Sequence, residues 1–193
     1  LIISKEFQII SLIEDFRKRG HLFTDTNPVR SRRTYLPTLD IKNFNLDSGD
    51  LNTVFQAGRE VGLGPTTLLD ILNHLKEVYC KSIGIEYTYI REIDEFTWIK
   101  NFIHKNNNHP SFKVQEKLQI FKELNQVVSF EKFLHKKYVG QKRFSIEGAE
   151  SIIPALQNAI NKGGELGIQE FVFGMAHRGR LSVLANIFNK PYS

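Results

Sequence analysis

FGMAHRGRLSVLANI, residues 173–187, is the stretch whose reading decides this chain. It overlaps a β-prone, mostly apolar run, IQEFVFGM at 168–175, the best strand the sequence offers. From Arg180 onward the apolar residues recur with helical spacing. Between strand and helix stand Gly174, His177, Arg178, Gly179 and Arg180. In open α/β sheets ligands bind beyond the carboxyl ends of strands, and this segment lies at such an end. A helix that starts there aims unpaired N–H groups and a positive dipole end at the same place, which favours anions. The glycines allow a close backbone approach or a positive φ. Arg178 and Arg180 add charge-assisted donors suited to phosphate or carboxylate, and His177 adds a donor that titrates near neutral pH. The set suits a phosphate and a carboxylated substrate side by side. The competing reading is a basic loop that forms salt bridges elsewhere in the fold.

The spacing Gly174-x-x-x-x-Gly179-Arg180-Leu181 comes close to a Walker A loop. The lysine position holds Arg180, however, and the Mg²⁺-ligating hydroxyl position holds Leu181, which argues against a P-loop. No G-x-G-x-x-G occurs. His104 and His109 in HKNNNHP lack the carboxylate or cysteine neighbours of a metal set and read as a surface loop. No metal ligand is assigned to this chain.

The totals set the frame. With 193 residues, 41% of them hydrophobic, the chain can bury a core and is not of disordered composition. No run approaches the apolar length of a membrane span. The net charge of +5 is spread among 21 acidic residues. The two dense basic runs, RKRGH at 17–21 and RSRR at 30–33, lack the aromatic companions of an RNA-binding motif. Neither a nucleic acid nor a membrane is therefore expected as partner. Cys80 is the single cysteine, so no disulfide framework exists, and it reads as a small buried hydrophobe in a reducing compartment. The only methionine is Met175 and no signal peptide is present, so the chain reads as an excerpt of a longer protein.

Upstream, helical spacing dominates. Residues 5–19 place Phe7, Ile10, Ile13 and Phe16 on one stripe, with Ser4 as N-cap and Gly20 beyond the C-terminus. A loop over 21–49 carries short apolar pieces such as YLPTLDI, and a short helix is expected over 50–55. A stronger helix follows Pro65, with Leu68, Leu69, Leu72, Leu75 and Val78 as its stripe. GIEYTYI at 84–90 alternates like a strand. Helices are expected at 94–106, with Phe96, Ile99 and Ile103 inward, and at 113–138, as one helix or as two parted near Ser129. NNNHPS breaks the chain between them. A further helix at about 149–162 has Pro154 in its first turn, and the last helix covers about 180–189. The fold class is mainly α, with seven or eight helices and few strands. Residues 1–110 form a helical region and 111–193 the beginning of an α/β domain whose other strands are missing.

The motifs, in this order, resemble the thiamine-diphosphate-dependent dehydrogenase component of the 2-oxoglutarate dehydrogenase complex. They are DFRKRGHLFTDTNP at 15–28, YCKSIGIEYTYI at 79–90, WIK at 98–100, KRFSIEGAESIIPAL at 142–156 and GMAHRGRLSVLANIFNKPY at 174–192. The last two are highly specific. The first departs at Phe16 and Asn27, where the family often has Tyr and Asp. The resemblance implies decarboxylation of 2-oxoglutarate on thiamine diphosphate and transfer of the succinyl group to a lipoyl arm. It implies that Arg178 holds the cofactor and that His177 recognises the 2-oxo acid. For Arg180, Glu147 and Ser145 a structural role is expected, and His21 is assigned a local loop role only.

By the same resemblance, the Mg²⁺ ligands and the glutamate that activates the cofactor lie outside this chain, so the excerpt alone is expected to be inactive. Further expectations are a homodimer when intact, a dihydrolipoyl succinyltransferase core as partner, and the bacterial cytoplasm (a mitochondrial matrix if eukaryotic). The alternatives are a sibling 2-oxoadipate dehydrogenase, a 2-oxoglutarate decarboxylase of the same build, or a non-catalytic binding or scaffold module.

Overall fold

The structure, a computed structural model, describes residues 2–27, 29–30 and 38–191. Pro28, Pro37, most of RSRR, the start of YLPTLDI and the terminal Tyr192 and Ser193 lie outside the described residues. The chain is mainly helical, with six α-helices and four 3-10 helices among the described residues and one two-stranded sheet. It divides into two compact units, Leu1–Ser111 and Phe112–Ser193.

In the first unit α1 (Ile2–Arg19) packs against α2 (Leu68–Tyr79). The buried stripe of α1 is Ile9, Leu12, Ile13 and Phe16, while Phe7 is 64% exposed. The expected stripe is thus rotated, because two overlapping sets of residues share helical spacing and period alone does not choose between them. In α2 the buried set is Leu68, Ile71, Leu72, Leu75, Val78 and Tyr79, with Leu69 turned outward. Thr67 caps α2 by accepting the Asp70 N–H, so the helix starts three residues later than Pro65 suggests. Gly20 does not end α1 as a left-handed residue. It opens a 3-10 turn (Gly20–Phe23) and lies so close to α2 that a Cβ would sit 2.5 Å from the Tyr79 Cβ.

The helix expected over 50–55 is absent. Asp47 and Asp50 close a capping box around a 3-10 turn, Ser48–Asp50, and the β-prone Val54 and Phe55 form β1 (Val54–Phe55). β1 pairs antiparallel with β2 (Thr66–Thr67), Val54 opposite Thr67 and Phe55 opposite Thr66. The 3-10 helix between them, Gln56–Val61, starts on Glu6, whose carboxylate accepts the N–H groups of Gln56 and Ala57 at 2.8 Å each.

GIEYTYI is not a strand: no neighbour among the described residues pairs with it, and Tyr87 turns inward instead. The helix α3 (Ile93–Lys105) places Ile103 in the core, with Phe96 and Ile99 packed partly against it. His104 is also buried, not in a surface loop as its sequence neighbours suggest. It links a chain of contacts at 2.9 Å each: His74 Nε2 to His104 Nδ1, His104 Nε2 to the Tyr79 hydroxyl, and that hydroxyl to the Tyr87 hydroxyl. Burial holds both histidines toward the neutral form, with the His104 pKa lowered to about 3. Arg17, 3% exposed, donates to the Glu60 carbonyl at 2.9 Å and pairs with Glu14. The asparagine run also has a structural task. Asn107 and Asn108 adopt positive φ, and the Asn108 amide donates to the Val78 and Ile83 carbonyls. Cys80 is half-buried against this core, and burial raises its thiol pKa to about 11, so it is an unreactive thiol.

The second unit holds α4 (Val114–Lys137), α5 (Ile152–Glu165) and α6 (Arg180–Asn186). α4 is one uninterrupted helix and packs against both α5 and α6. Pro154 sits in the first turn of α5, where it removes no helical hydrogen bond. The core is small: Val127, Ile146, Ile153 and Val183, with Ala149, Leu156 and Ile187 around it. The strand expected at 168–175 does not form. A strand needs a hydrogen-bonded neighbour, and none lies beside this segment among the described residues. The segment runs irregularly, with Val172 91% exposed; Phe171 lies over Gly163, the Ile168 N–H donates to the Gly163 carbonyl, and the Phe173 ring meets Phe188 edge-on. A Cβ on Gly163 would come within 2.5 Å of the Phe171 ring.

Candidate functional site

The candidate residues lie in the second unit, on the loop before α6. Gly179 supplies the turn that starts the helix, at φ 73. Its missing side chain matters twice. The left-handed conformation strains any L-residue, and a Cβ there would stand 2.8 Å from the Ile146 side chain.

Ile146 belongs to the segment 144–148, which runs beside the loop and fastens it residue by residue. The Phe144 carbonyl accepts the Gly179 N–H at 2.7 Å. The Phe144 ring lies against the His177 imidazole, with centroids 5.5 Å apart. The Glu147 carbonyl accepts a hydrogen bond from the Arg178 guanidinium at 2.6 Å. Gly148, at φ 87, leaves the space beside Arg178 open, because a Cβ there would lie 3.4 Å from Nη2. The two sequence motifs at 142–156 and 174–192 are therefore one structural unit. Ser145 accepts the Glu147 N–H, and Glu150 accepts that of Gly148, which shapes the turn.

His177, Arg178 and Arg180 are all exposed, so three nitrogen-bearing side chains face solvent from one loop. The backbone offers less to an anion than the sequence suggests. The Gly179 N–H is spent on Phe144, and the Arg180 N–H on the His177 carbonyl. With only seven residues, α6 also has a small dipole. Any anion held here is held chiefly by side chains. Arg178 has several more N–H groups than the one given to Glu147. No group of three or more metal-binding side chains occurs among the described residues.

Sequence reasoning missed the residue beneath this loop. Glu131 of α4 is 3% exposed. Its Oε1 accepts the Ser182 hydroxyl at 2.7 Å and the Ile146 N–H at 3.3 Å, and Arg143 Nε lies 3.5 Å from Oε2. The signal was present in the helical register. Val127, Glu131 and Leu134 occupy one stripe, and the carboxylate stands where a hydrophobe would be ordinary.

No family model matches the chain. The chain is 44% identical over 195 residues to the "Multifunctional 2-oxoglutarate metabolism enzyme" of Mycolicibacterium vanbaalenii, an alignment that spans all of the chain and 16% of that protein. It is 41% identical to the "2-oxoglutarate dehydrogenase E1/E2 component" of Corynebacterium glutamicum, over 98% of the chain and 16% of that protein. It is 37% identical to a "2-oxoglutarate dehydrogenase E1 component" of Bacillus cereus, over 99% of the chain and 20% of that protein.

Over its whole length the chain is similar to 2-oxoglutarate dehydrogenase components and to a multifunctional 2-oxoglutarate enzyme.

It spans a fifth or less of the length of these relatives. The alignments cover 98–100% of the chain and so include residues 144–148 and 177–179. No helix among the described residues is long and apolar enough to cross a membrane.

Proposed function

We propose that this chain is part of a 2-oxoglutarate dehydrogenase component that decarboxylates 2-oxoglutarate with thiamine diphosphate and passes the succinyl group to a lipoyl arm. The observation that carries this reading is the joining of the two most family-specific motifs at one exposed loop, with Arg178 bonded to Glu147 and His177 against Phe144. The second unit then begins the diphosphate-binding α/β domain. The bare segment 168–176 awaits strands from elsewhere in the protein, and the helical first unit stands before it.

The side chains fit the cofactor. A diphosphate calls for cationic, multidentate donors, and the loop offers Arg178 and Arg180 beside an open Gly148. Arg178 holds the diphosphate, and its bond to Glu147 fixes the guanidinium before the ligand arrives. His177 hydrogen-bonds the 2-oxo acid, and the Phe144 ring limits the directions in which its imidazole turns. The side chains that bind Mg²⁺ lie outside this chain. When bound, thiamine diphosphate supplies a nucleophilic carbon and an electron sink for decarboxylation. The intact protein works as a homodimer with a dihydrolipoyl succinyltransferase core, in the bacterial cytoplasm.

A sibling 2-oxoadipate dehydrogenase differs only in the substrate pocket. The names of the relatives all refer to 2-oxoglutarate, which favours the shorter acid. The test is carbon dioxide release by the intact protein, with thiamine diphosphate and Mg²⁺, from 2-oxoglutarate and from 2-oxoadipate. A higher kcat/KM for 2-oxoglutarate is the expected result. Preference for 2-oxoadipate would move the protein to the sibling activity, and no release from either acid would leave a binding module.

A further inference from the structure

We infer that Glu131 is a positioning residue for the His177–Arg178 loop and sets the affinity of that loop for thiamine diphosphate. The inference rests on the reading of the loop given above. Glu131 is far from expendable packing. It is a buried carboxylate in the apolar stripe of α4, between Val127 and Leu134. A leucine there would need no desolvation of charge, and a buried ion pair is weak as a source of stability. What the carboxylate supplies is geometry. Its Oε1 receives the Ser182 hydroxyl from the first turn of α6 and the Ile146 N–H from the segment that fastens the loop. Its Oε2 faces Arg143 at 3.5 Å, just upstream of that segment. One side chain thus ties α4 to both sides of the candidate site.

The line from Glu131 to the ligand-facing groups has few steps. Ile146, held by Glu131, lies directly against Gly179, where there is no room for a Cβ. Two residues before it, the Phe144 carbonyl holds the Gly179 N–H and the Phe144 ring rests on His177. One residue after it, the Glu147 carbonyl holds Arg178. Freeing Ile146 from Glu131 therefore loosens each of the three contacts that orient His177 and Arg178. Ser182 fixes the other end of the turn, so its loss should act in the same direction. Neither Glu131 nor Ser182 touches the ligand: both are buried and act through the loop.

The experiment uses the full-length protein and calorimetric titration with thiamine diphosphate in the presence of Mg²⁺. The variants are Glu131→Gln, Ser182→Ala, Arg178→Ala and the two double variants with Arg178→Ala. Ser182→Ala removes one hydroxyl and leaves Glu131 its hydrogen bond from Ile146 and its ion pair with Arg143. It keeps the question answerable if Glu131→Gln fails to fold. Each single change beneath the loop should weaken cofactor binding about fivefold or more, and the double variants should bind no more weakly than Arg178→Ala alone, because coupled residues are not additive. A merely structural role would lower thermal stability and leave the affinities multiplicative. Unchanged affinity in a folded Ser182→Ala protein, or losses that multiply with that of Arg178→Ala, would overturn the inference. Unchanged affinity in Arg178→Ala itself would overturn the reading of the loop, and is thereby told apart from a failure of Glu131 alone.

Discussion

Arg178 donates to the carbonyl oxygen of Glu147 at 2.6 Å, across 31 residues of sequence. The contact is to a neutral carbonyl and not to a carboxylate, so the guanidinium keeps its full charge for a ligand while its direction is fixed. A salt bridge at the same place would have oriented the side chain and cancelled its charge. A ligand site would use that charge, whereas a structural basic patch would spend it within the fold.

His177 stands beside Arg178 but packs on Phe144, so the two should divide the work. In the full-length protein, His177→Ala should leave thiamine diphosphate affinity nearly intact and lower kcat/KM for 2-oxoglutarate. Losing one charge-assisted hydrogen bond costs about 1.5–3 kcal/mol, or on the order of tenfold or more. Steady-state kinetics alongside cofactor titration check it. Weakened cofactor binding with unchanged kinetics would mean that His177 serves the other ligand.

Gly179 is fixed by backbone and by space. Gly179→Ala should destabilise the second unit by roughly 2–4 kcal/mol, from left-handed strain and the contact with Ile146. Urea unfolding followed by circular dichroism measures this. A loss below about 0.5 kcal/mol, the range of ordinary surface changes, would show that the turn relaxes freely.

The buried histidines make the first unit sensitive to acid. Burial first, then the neighbouring charges of His74, Arg17 and Lys100, holds the His104 pKa at about 3, below the ordinary 6.5. Burial lowers that of His74 as well. A depressed histidine pKa means that the unfolded chain binds protons first as the pH falls. Stability is thus full above about pH 6.5 and declines below it, by at most about 1.4 kcal/mol per pH unit for each group. Unfolding midpoints at pH 7.5 and 5.0 should differ, and His104→Gln should shrink the difference. Equal pH dependence in the variant would remove His104 as the cause.

Much of this was legible in the sequence, and the misses have physical causes. The helices expected from Pro65, over 94–106 and at about 149–162 form at Leu68–Tyr79, Ile93–Lys105 and Ile152–Glu165, the first and last of them starting about three residues late. The stripe of α1 was misplaced because Phe7 and Ile9 both fit a helical period, and only the facing helix selects Ile9. The segment 168–175 has strand composition but no partner, so composition could not become structure. His104 looked like loop because its sequence neighbours are polar, whereas its real neighbours, His74 and Tyr79, are 30 and 25 residues away. At the candidate site the sequence named His177 and Arg178. It did not reveal that Phe144, Ile146 and Glu147 hold them, since those contacts span more than thirty residues. Glu131 left a readable trace, a lone acid in an apolar stripe.

The chain of 193 residues by itself should not decarboxylate 2-oxoglutarate. Among its described residues no cluster offers a metal site, and segment 168–176 forms no strand. Carbon dioxide release by the purified chain with thiamine diphosphate and Mg²⁺, measured against a no-protein control, should be at background. Turnover above that control would place the whole reaction within these residues.

The central claim is that Arg178 is a cofactor ligand held ready by Glu147. Calorimetric titration of full-length Arg178→Ala with thiamine diphosphate and Mg²⁺ tests it most directly. A charge-assisted contact is worth about 1.5–3 kcal/mol, so affinity should fall on the order of tenfold or more. A dissociation constant equal to that of the unaltered protein would contradict the account and leave Arg178 as a structural tie between its loop and the Glu147 carbonyl.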